Sequence, residues 1–328
     1  MTDLKTNFAG LSLRNPIIVS SSGLTASADK NQKLAEAGAG AIVLKSLFEE
    51  QILIETDQML ADAASYMEGT DYLQEYVRHH KLTEYIDLIK DSKAVCGDVP
   101  VIASINCYND SEWIDFSKKI EEAGADAIEV NILALQTSLN YEFGSFEQKH
   151  IDILKHIKRT VSIPVIMKLG HNFTNPVSLI NQLYANGANA VVLFNRFYQP
   201  EIDIEKQKHI AGPILSSPNE LPNALRWIGI ASAAVDKIDY AASGGVQSPQ
   251  DLVKTILVGA SAVEISTILY KKSDSEIRKM LTFLATWMQD NGYKNISQFK
   301  GKLNHKNVKD VNYFERTQFL KYYSSSKK

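Results

Sequence analysis

The run Ala123-Gly124-Ala125-Asp126-Ala127-Ile128-Glu129-Val130-Asn131 carries the pattern from which the fold is read. A small-residue turn suits a helix C-cap and the entry into the next element. A short apolar run follows, and a polar residue closes it. Such a run reads as a strand buried on both faces of a parallel sheet. Upstream, the same unit occurs at Ile17-Ile18-Val19, at Ala41-Ile42-Val43-Leu44 and at Val101-Ile102-Ala103-Ser104-Ile105. Downstream it returns at Val165-Ile166-Met167, Ala190-Val191-Val192-Leu193-Phe194, Ile238-Asp239-Tyr240-Ala241 and Ala262-Val263-Glu264-Ile265. Helical patterns such as Asp110 to Ala123 and Pro249 to Val258 lie between the runs.

Eight strand–helix units predict a closed (β/α)8 barrel, and a barrel of this length is one domain. The competing fold, a doubly wound open sheet, would bind a nucleotide at a GxGxxG turn. The chain has no such turn. Residues 1–328 are therefore read as one barrel domain with three additions. Residues 1–15 hold a hairpin over Asn7 to Leu13, expected to cover the barrel's bottom. Residues 199–222, rich in proline, form a long excursion after strand six, where such excursions build sites. Residues 273–328 form a C-terminal helical segment and tail.

Composition narrows the function. With 45% hydrophobic and 22% charged residues the chain is globular. A net charge of −3 without a basic stripe argues against a nucleic-acid partner. The first residues show neither a signal peptide nor a membrane span, so a cytoplasmic protein off the membrane is expected. The two cysteines, Cys96 and Cys107, have no metal-ligand spacing, so no bound metal or iron–sulfur cluster is expected. Free thiols suit a reducing compartment.

In a barrel of this kind, chemistry collects at the C-terminal strand ends. Those ends read Ser20-Ser21-Ser22-Gly23, Lys45-Ser46, Asn106, Asn131, Lys168, Asn195-Arg196, Ser243-Gly244-Gly245 and Ser266-Thr267. Polar groups in a barrel mouth need partners, and a polar ligand supplies them. Gly244, Gly245, Ser266 and Thr267 are donor-rich ends after strands seven and eight, where barrels commonly hold phosphate. Lys45 and Lys168 suit a shared anionic ligand. Lys168 fits two roles: a cation that stabilises charge on a reduced flavin ring, or a Schiff-base nucleophile. Asn131 and Asn195 suit an imide-like ring edge. Glu129, two residues before Asn131, faces the same side of its strand as an inner-layer partner for a lysine.

Several of these segments resemble the dihydroorotate dehydrogenase family. They are Asn15-Pro16-Ile17-Ile18-Val19-Ser20-Ser21-Ser22-Gly23, Leu44-Lys45-Ser46, Glu129-Val130-Asn131-Ile132 and Val165-Ile166-Met167-Lys168-Leu169. Phe194-Asn195, Ser243-Gly244-Gly245-Val246 and Glu264-Ile265-Ser266-Thr267 complete the set. They run in the family's order from about Asn7 to Lys272. The resemblance implies FMN held by Ser21, Ser22, Lys45, Ser46, Asn131, Lys168, Gly244, Gly245, Ser266 and Thr267. It implies a substrate held by Lys45, Asn131, Asn195 and Arg196, with Lys45, Asn131 and Lys168 catalytic. The implied reaction oxidises dihydroorotate to orotate, or a related cyclic substrate, by hydride transfer to the flavin in pyrimidine biosynthesis. The acceptor would be fumarate or a partner protein, and the oligomer a homodimer.

The chain departs from the family pattern in three places. The family's base, a few residues after the strand-four Asn, falls on Ala134, and Leu135 replaces the proline that follows. Thr137, Ser138, Tyr141 and His171 are the candidate substitutes. The glycine-rich segment after the strand-two Lys is replaced by Ser65 to His80. Arg196 stands where a serine or threonine is usual. Two alternatives follow: a flavin- or ligand-binding barrel without turnover, or a Schiff-base lyase using Lys168.

Overall fold

The structure, a computed structural model, describes residues 2–48, 70–106, 113–132, 134–308 and 314. Cys107, residues 65–69 of the divergent segment, and Lys327 and Lys328 of the tail lie outside the described residues. The eight expected runs are eight parallel strands. They are β3 (Ile17–Val19), β4 (Ala41–Val43), β6 (Val101–Asn106), β7 (Ala127–Asn131), β8 (Val165–Leu169), β9 (Ala190–Leu193), β12 (Asp239–Ser243) and β13 (Ala262–Ile265). Each pairs with its neighbours, and β4 pairs with β6 through Ile42 with Val101 and Val43 with Ile102. That pairing closes the sheet into a barrel. A two-residue strand, β5 (Leu47–Phe48), adds to the far end of β6.

Helices α1 (Ala28–Ala37), α2 (Thr70–Val95), α3 (Trp113–Glu122), α4 (Ser145–Thr160), α5 (Pro176–Ala185), α6 (Leu221–Ala234) and α7 (Pro249–Val258) lie between the strands. Local chemistry sets their ends. At α7, Ser248 Oγ accepts from the Asp251 N–H while the Asp251 carboxylate accepts from the Ser248 N–H, and Pro249 opens the first turn. Gly259, with φ of 124°, ends it. Helices α8 (Thr267–Lys271) and α9 (Ser275–Asp290) follow the last strand.

The strand period of two sorts the barrel interior into layers. Ile18, Val43, Ile102, Ala127, Ile166, Val192, Ala241 and Ala262, one from each barrel strand, belong to a single buried apolar cluster. The N-terminal hairpin, β1 (Thr6–Phe8) and β2 (Leu11–Leu13), packs Phe8 and Leu13 onto this cluster. Ala9 and Gly10 turn it with φ of 55° and 82°, the pattern of a tight two-residue hairpin. The hairpin therefore plugs the barrel's bottom. The proline-rich excursion contains a second hairpin, β10 (Pro200–Asp203) with β11 (Lys208–Ala211), and α6 begins at Leu221. Alternation in Glu201-Ile202-Asp203-Ile204 was the sequence signal for that strand.

Phe8 is 1% exposed and packs with Leu13 on the lower layer of the barrel. Phe8→Ala is expected to cost about 3–5 kcal/mol. A urea midpoint that stays unchanged would show that the hairpin is not a structural plug.

Candidate active site

One step of two residues above the apolar layer, the same inward faces turn polar. Ser20, Lys45, Ser104, Glu129, Lys168 and Glu264 follow Ile18, Val43, Ile102, Ala127, Ile166 and Ala262 by two positions. Lys168 Nζ lies 2.7 Å from Glu264 Oε2 and 3.2 Å from Glu129 Oε1, so the pairing expected for Glu129 is present. Ser20 Oγ donates to Glu264 Oε2 at 3.0 Å and accepts from Lys168 at 3.3 Å. Burial disfavours the ammonium, but the two carboxylates outweigh it and hold the Lys168 amine above its ordinary range. Burial and the Glu264 charge push Glu129 well above the usual carboxylate range, against the pull of Lys168. Burial acts on Glu264 in the same sense, yet Lys168 and the hydrogen bonds hold it below that range. A Schiff-base lysine needs a neutral amine. These contacts keep Lys168 charged, which weighs against the lyase alternative.

Beside this cluster runs a chain of hydrogen bonds across four strand ends and the segment just after β9. Ser21 Oγ meets Ser46 Oγ at 3.0 Å, and Ser46 Oγ meets Ser104 Oγ at 2.7 Å. Asn131 Nδ2 donates to Ser104 Oγ at 3.2 Å, and Asn195 Nδ2 donates to Asn131 Oδ1 at 3.0 Å. The network fixes which way each amide faces. Register sets Asn131 of β7 beside Asn106 of β6 and Lys168 of β8. Tyr85, from α2, clamps β6 by accepting from the Ser104 N–H at 2.6 Å and donating to its carbonyl at 2.9 Å. Ser104 escaped the strand-end reading, and Ser20 was read as a strand end without a role; the signal for Ser104 was a polar residue within an apolar run.

The third part is a tight backbone turn after β12. Gly244 and Gly245 have φ of 88° and 74°. A Cβ on Gly245 would sit 2.4 Å from the Leu221 backbone nitrogen, so only glycine fits there. The excursion is tied to this turn by a residue that sequence reasoning did not single out. Ser216 Oγ accepts from the Gly245 N–H at 3.3 Å and meets Thr267 Oγ1 at 2.9 Å. Arg196 holds the same excursion, donating to the carbonyls of Ile214 at 2.7 Å and Pro213 at 2.8 Å and pairing with Glu220 at 3.2 Å. Its guanidinium is thus engaged by the excursion, while Arg196 still lines the cavity.

These parts surround one cavity of about 770 Å³. Ser21, Ser22, Lys45, Ser46, Asn131, Lys168, Asn195, Arg196, Gly244, Gly245, Ser266 and Thr267 all line it, with Phe48, Tyr198, Ser216, Glu264 and Tyr270. Lys45 is exposed at this opening. A sequence profile of the dihydroorotate dehydrogenase family matches residues 3–288. The catalytic subunit of dihydroorotate dehydrogenase B (NAD(+)) from Thermoplasma volcanium is 30% identical, over 92% of this chain and 98% of that protein. The chain belongs to the dihydroorotate dehydrogenase family. Subunits of the same name from Thermoplasma acidophilum and Pyrococcus abyssi are 28% and 26% identical, over 92% and 91% of this chain and 99% and 98% of theirs. Membership makes the chain a flavin-dependent oxidoreductase acting on a carbon–carbon bond.

Against that family, the segment after Asn131 stands apart. Ala134 is half-buried, and its carbonyl accepts from Asn172 Nδ2 at 3.3 Å. Thr137 and Ser138 are exposed, Tyr141 stacks edge-on against Phe143, and none of the three lines the cavity. His171 is nearer, with its ring edge-on to Phe197 at 6.0 Å, and Phe197 does line the cavity.

Lys168→Met leaves Glu264 without its counter-charge inside the barrel. The expected loss is about 3–5 kcal/mol at neutral pH. The loss should shrink as pH falls, because protonation removes the unpaired charge. Equal losses at acid and neutral pH would show that the ion pair does not govern stability here.

Proposed function

We propose that this cavity binds FMN and that the chain oxidises dihydroorotate, with Lys45, Asn131 and Lys168 as the central groups. The supporting observation is the convergence of two lysines, two oriented amides and a glycine turn on one opening. The donor set fits the cofactor. A cavity of about 770 Å³ lies within the range of roughly 300–1,000 Å³ typical of small-molecule sites. The Gly244-Gly245 turn, packed so closely on the Leu221 backbone that only glycine fits at 245, with Ser266 and Thr267 beside it, suits a phosphate. Bound FMN would supply the hydride acceptor. Lys168 then presents a fixed cation to the ring, and Asn131 and Asn195 read an imide-like edge through their remaining donors and acceptors. Lys45, exposed at the mouth, offers a second cation to substrate and cofactor. The N-terminal hairpin and the 199–222 excursion belong to the same single domain, one closing the bottom and the other walling the site.

Electrons must then leave the flavin. The relatives are named as catalytic subunits, and a chain with only two cysteines brings no ligand set for its own cluster. A partner protein as acceptor fits best, ahead of fumarate. No described helix is long and apolar enough to cross a membrane, and we place the protein in the cytoplasm, as a homodimer.

A second reading has a specific observation behind it. Ala134 cannot take a proton, and Thr137, Ser138 and Tyr141 stand off the cavity. Loss of a general base typically costs about 10²–10⁴-fold in rate, so the barrel would hold its cofactor and turn over slowly or not at all.

The purified protein reconstituted with FMN should be yellow, and anaerobic dihydroorotate should bleach it. A colourless protein overturns the flavin reading. A yellow protein that dihydroorotate never bleaches in stopped flow selects the barrel without turnover. Gly245→Ala should weaken FMN binding roughly tenfold or more, since a strained backbone costs about 1–3 kcal/mol. Unchanged titration by FMN would place the phosphate elsewhere.

A further inference from the structure

The cluster below the cavity contains more acid than its lysine can neutralise. Glu129 and Glu264 are both buried, at 0% and 2% exposure, and only one ammonium stands between them. Glu129 Oε1 accepts from Lys168, and Glu264 Oε2 accepts from Lys168 and Ser20. The other two, Glu129 Oε2 and Glu264 Oε1, are fully buried and receive no donor from the described residues. Yet the two carboxyls flank the same Lys168 Nζ, at 3.2 and 2.7 Å, and each acts on the other, Glu129 being pushed up and Glu264 held down. Two ionised carboxylates in that position would leave an unpaired negative charge and two orphaned acceptors in a dry interior, which is costly on both counts. A single proton on the pair removes the excess charge.

The proton's preferred side follows from the donors. Glu264 accepts from Lys168 at 2.7 Å and from Ser20 at 3.0 Å. Glu129 has only the longer 3.2 Å contact to Lys168. The carboxyl with more donors holds its charge better, which favours Glu129 as the side that takes the proton. Tyr85 and Ser104, the polar neighbours on the Glu129 side, are engaged with each other or with the Ser46 and Asn131 side chains.

We propose that Glu129 and Glu264 share one proton beneath Lys168, so that the pair carries a single negative charge and offsets the lysine's cation where it faces the cavity. The two acids are positioning residues that act through Lys168. Their consequence for redox chemistry rests on the FMN reading above. A bare ammonium would favour the negative charge of a reduced ring, and an ion pair does so far less. The pair thereby keeps the cofactor a weaker electron acceptor than Lys168 alone would make it.

The shared proton makes an unusual prediction: either glutamate alone is sufficient. Glu129→Gln or Glu264→Gln replaces a carboxyl and its proton with an amide, and the remaining carboxylate still balances Lys168. Infrared spectra of the purified protein near neutral pH should show the C=O stretch of a protonated carboxyl, and either variant should lack it. In each single variant the ratio of FMN affinities for the reduced and oxidised forms should stay within about threefold of wild type. In the double variant that ratio should rise at least tenfold, equivalent to about 30 mV for a two-electron couple. Absence of the infrared band in wild type overturns the shared proton. A tenfold change already in a single variant does so too, since it means that both acids are ionised. An unshifted double variant overturns the redox role. If the double variant does not fold, the single variants and the band still decide. A wild-type protein that takes up no FMN defeats the flavin reading and the redox role with it, while the band, recorded without cofactor, decides the shared proton independently.

Discussion

Two residue pairs, Ile42 with Val101 and Val43 with Ile102, join β4 to β6 and turn a parallel sheet into a ring. Closure removes the sheet's exposed edges and brings the C-terminal ends of all eight strands around one axis. Nothing in the site would converge without it. Lys45, Asn131, Lys168 and Gly245 are separated by tens of residues in the chain, and they face a single cavity because the strands that carry them share a barrel.

Inside the ring, the two-residue period of the strands stacks an apolar layer under a polar one. The lower layer, sealed by Phe8 and Leu13, provides the burial that holds the barrel. The upper layer is expensive. It puts a lysine, two glutamates and a row of hydroxyls and amides where water is scarce, and each group needs a partner. The network from Ser21 to Asn195 and the cluster around Lys168 meet that demand with few unsatisfied atoms. A preorganised polar floor of this kind orients charge without reorganising when a ligand arrives.

The wall of the site is built differently from its floor. The 199–222 excursion reaches back across the mouth, held by Arg196 and by Ser216 on Gly245 and Thr267. The segment from Ala134 to Gly144 makes no comparable return, and most of it is exposed. The glycine-turn side of the cavity is therefore tied by several contacts, while the side that begins at Ala134 is not. That asymmetry follows the family resemblance, which is dense at Lys168 and Gly244-Gly245 and breaks at Ala134.

Much of this was legible from residue order alone. Each barrel strand is a local apolar run with a local stop, so periodicity and turn residues located all eight, and strand ends named the cavity's lining. Glu129 was assigned its lysine because same-face spacing is also a local property. Ser216, Ser104 and the second acid, Glu264, were not found as partners, since their roles come from residues far off in the chain. Arg196 could be read as a substrate contact or as the partner of a nearby acid, and its contacts to Glu220 and two excursion carbonyls appear only in three dimensions. Short-range pattern determined the elements and their inward faces. Only closure of the barrel decided which buried charges share a space, because electrostatic pairing depends on distance in three dimensions and not on separation along the chain.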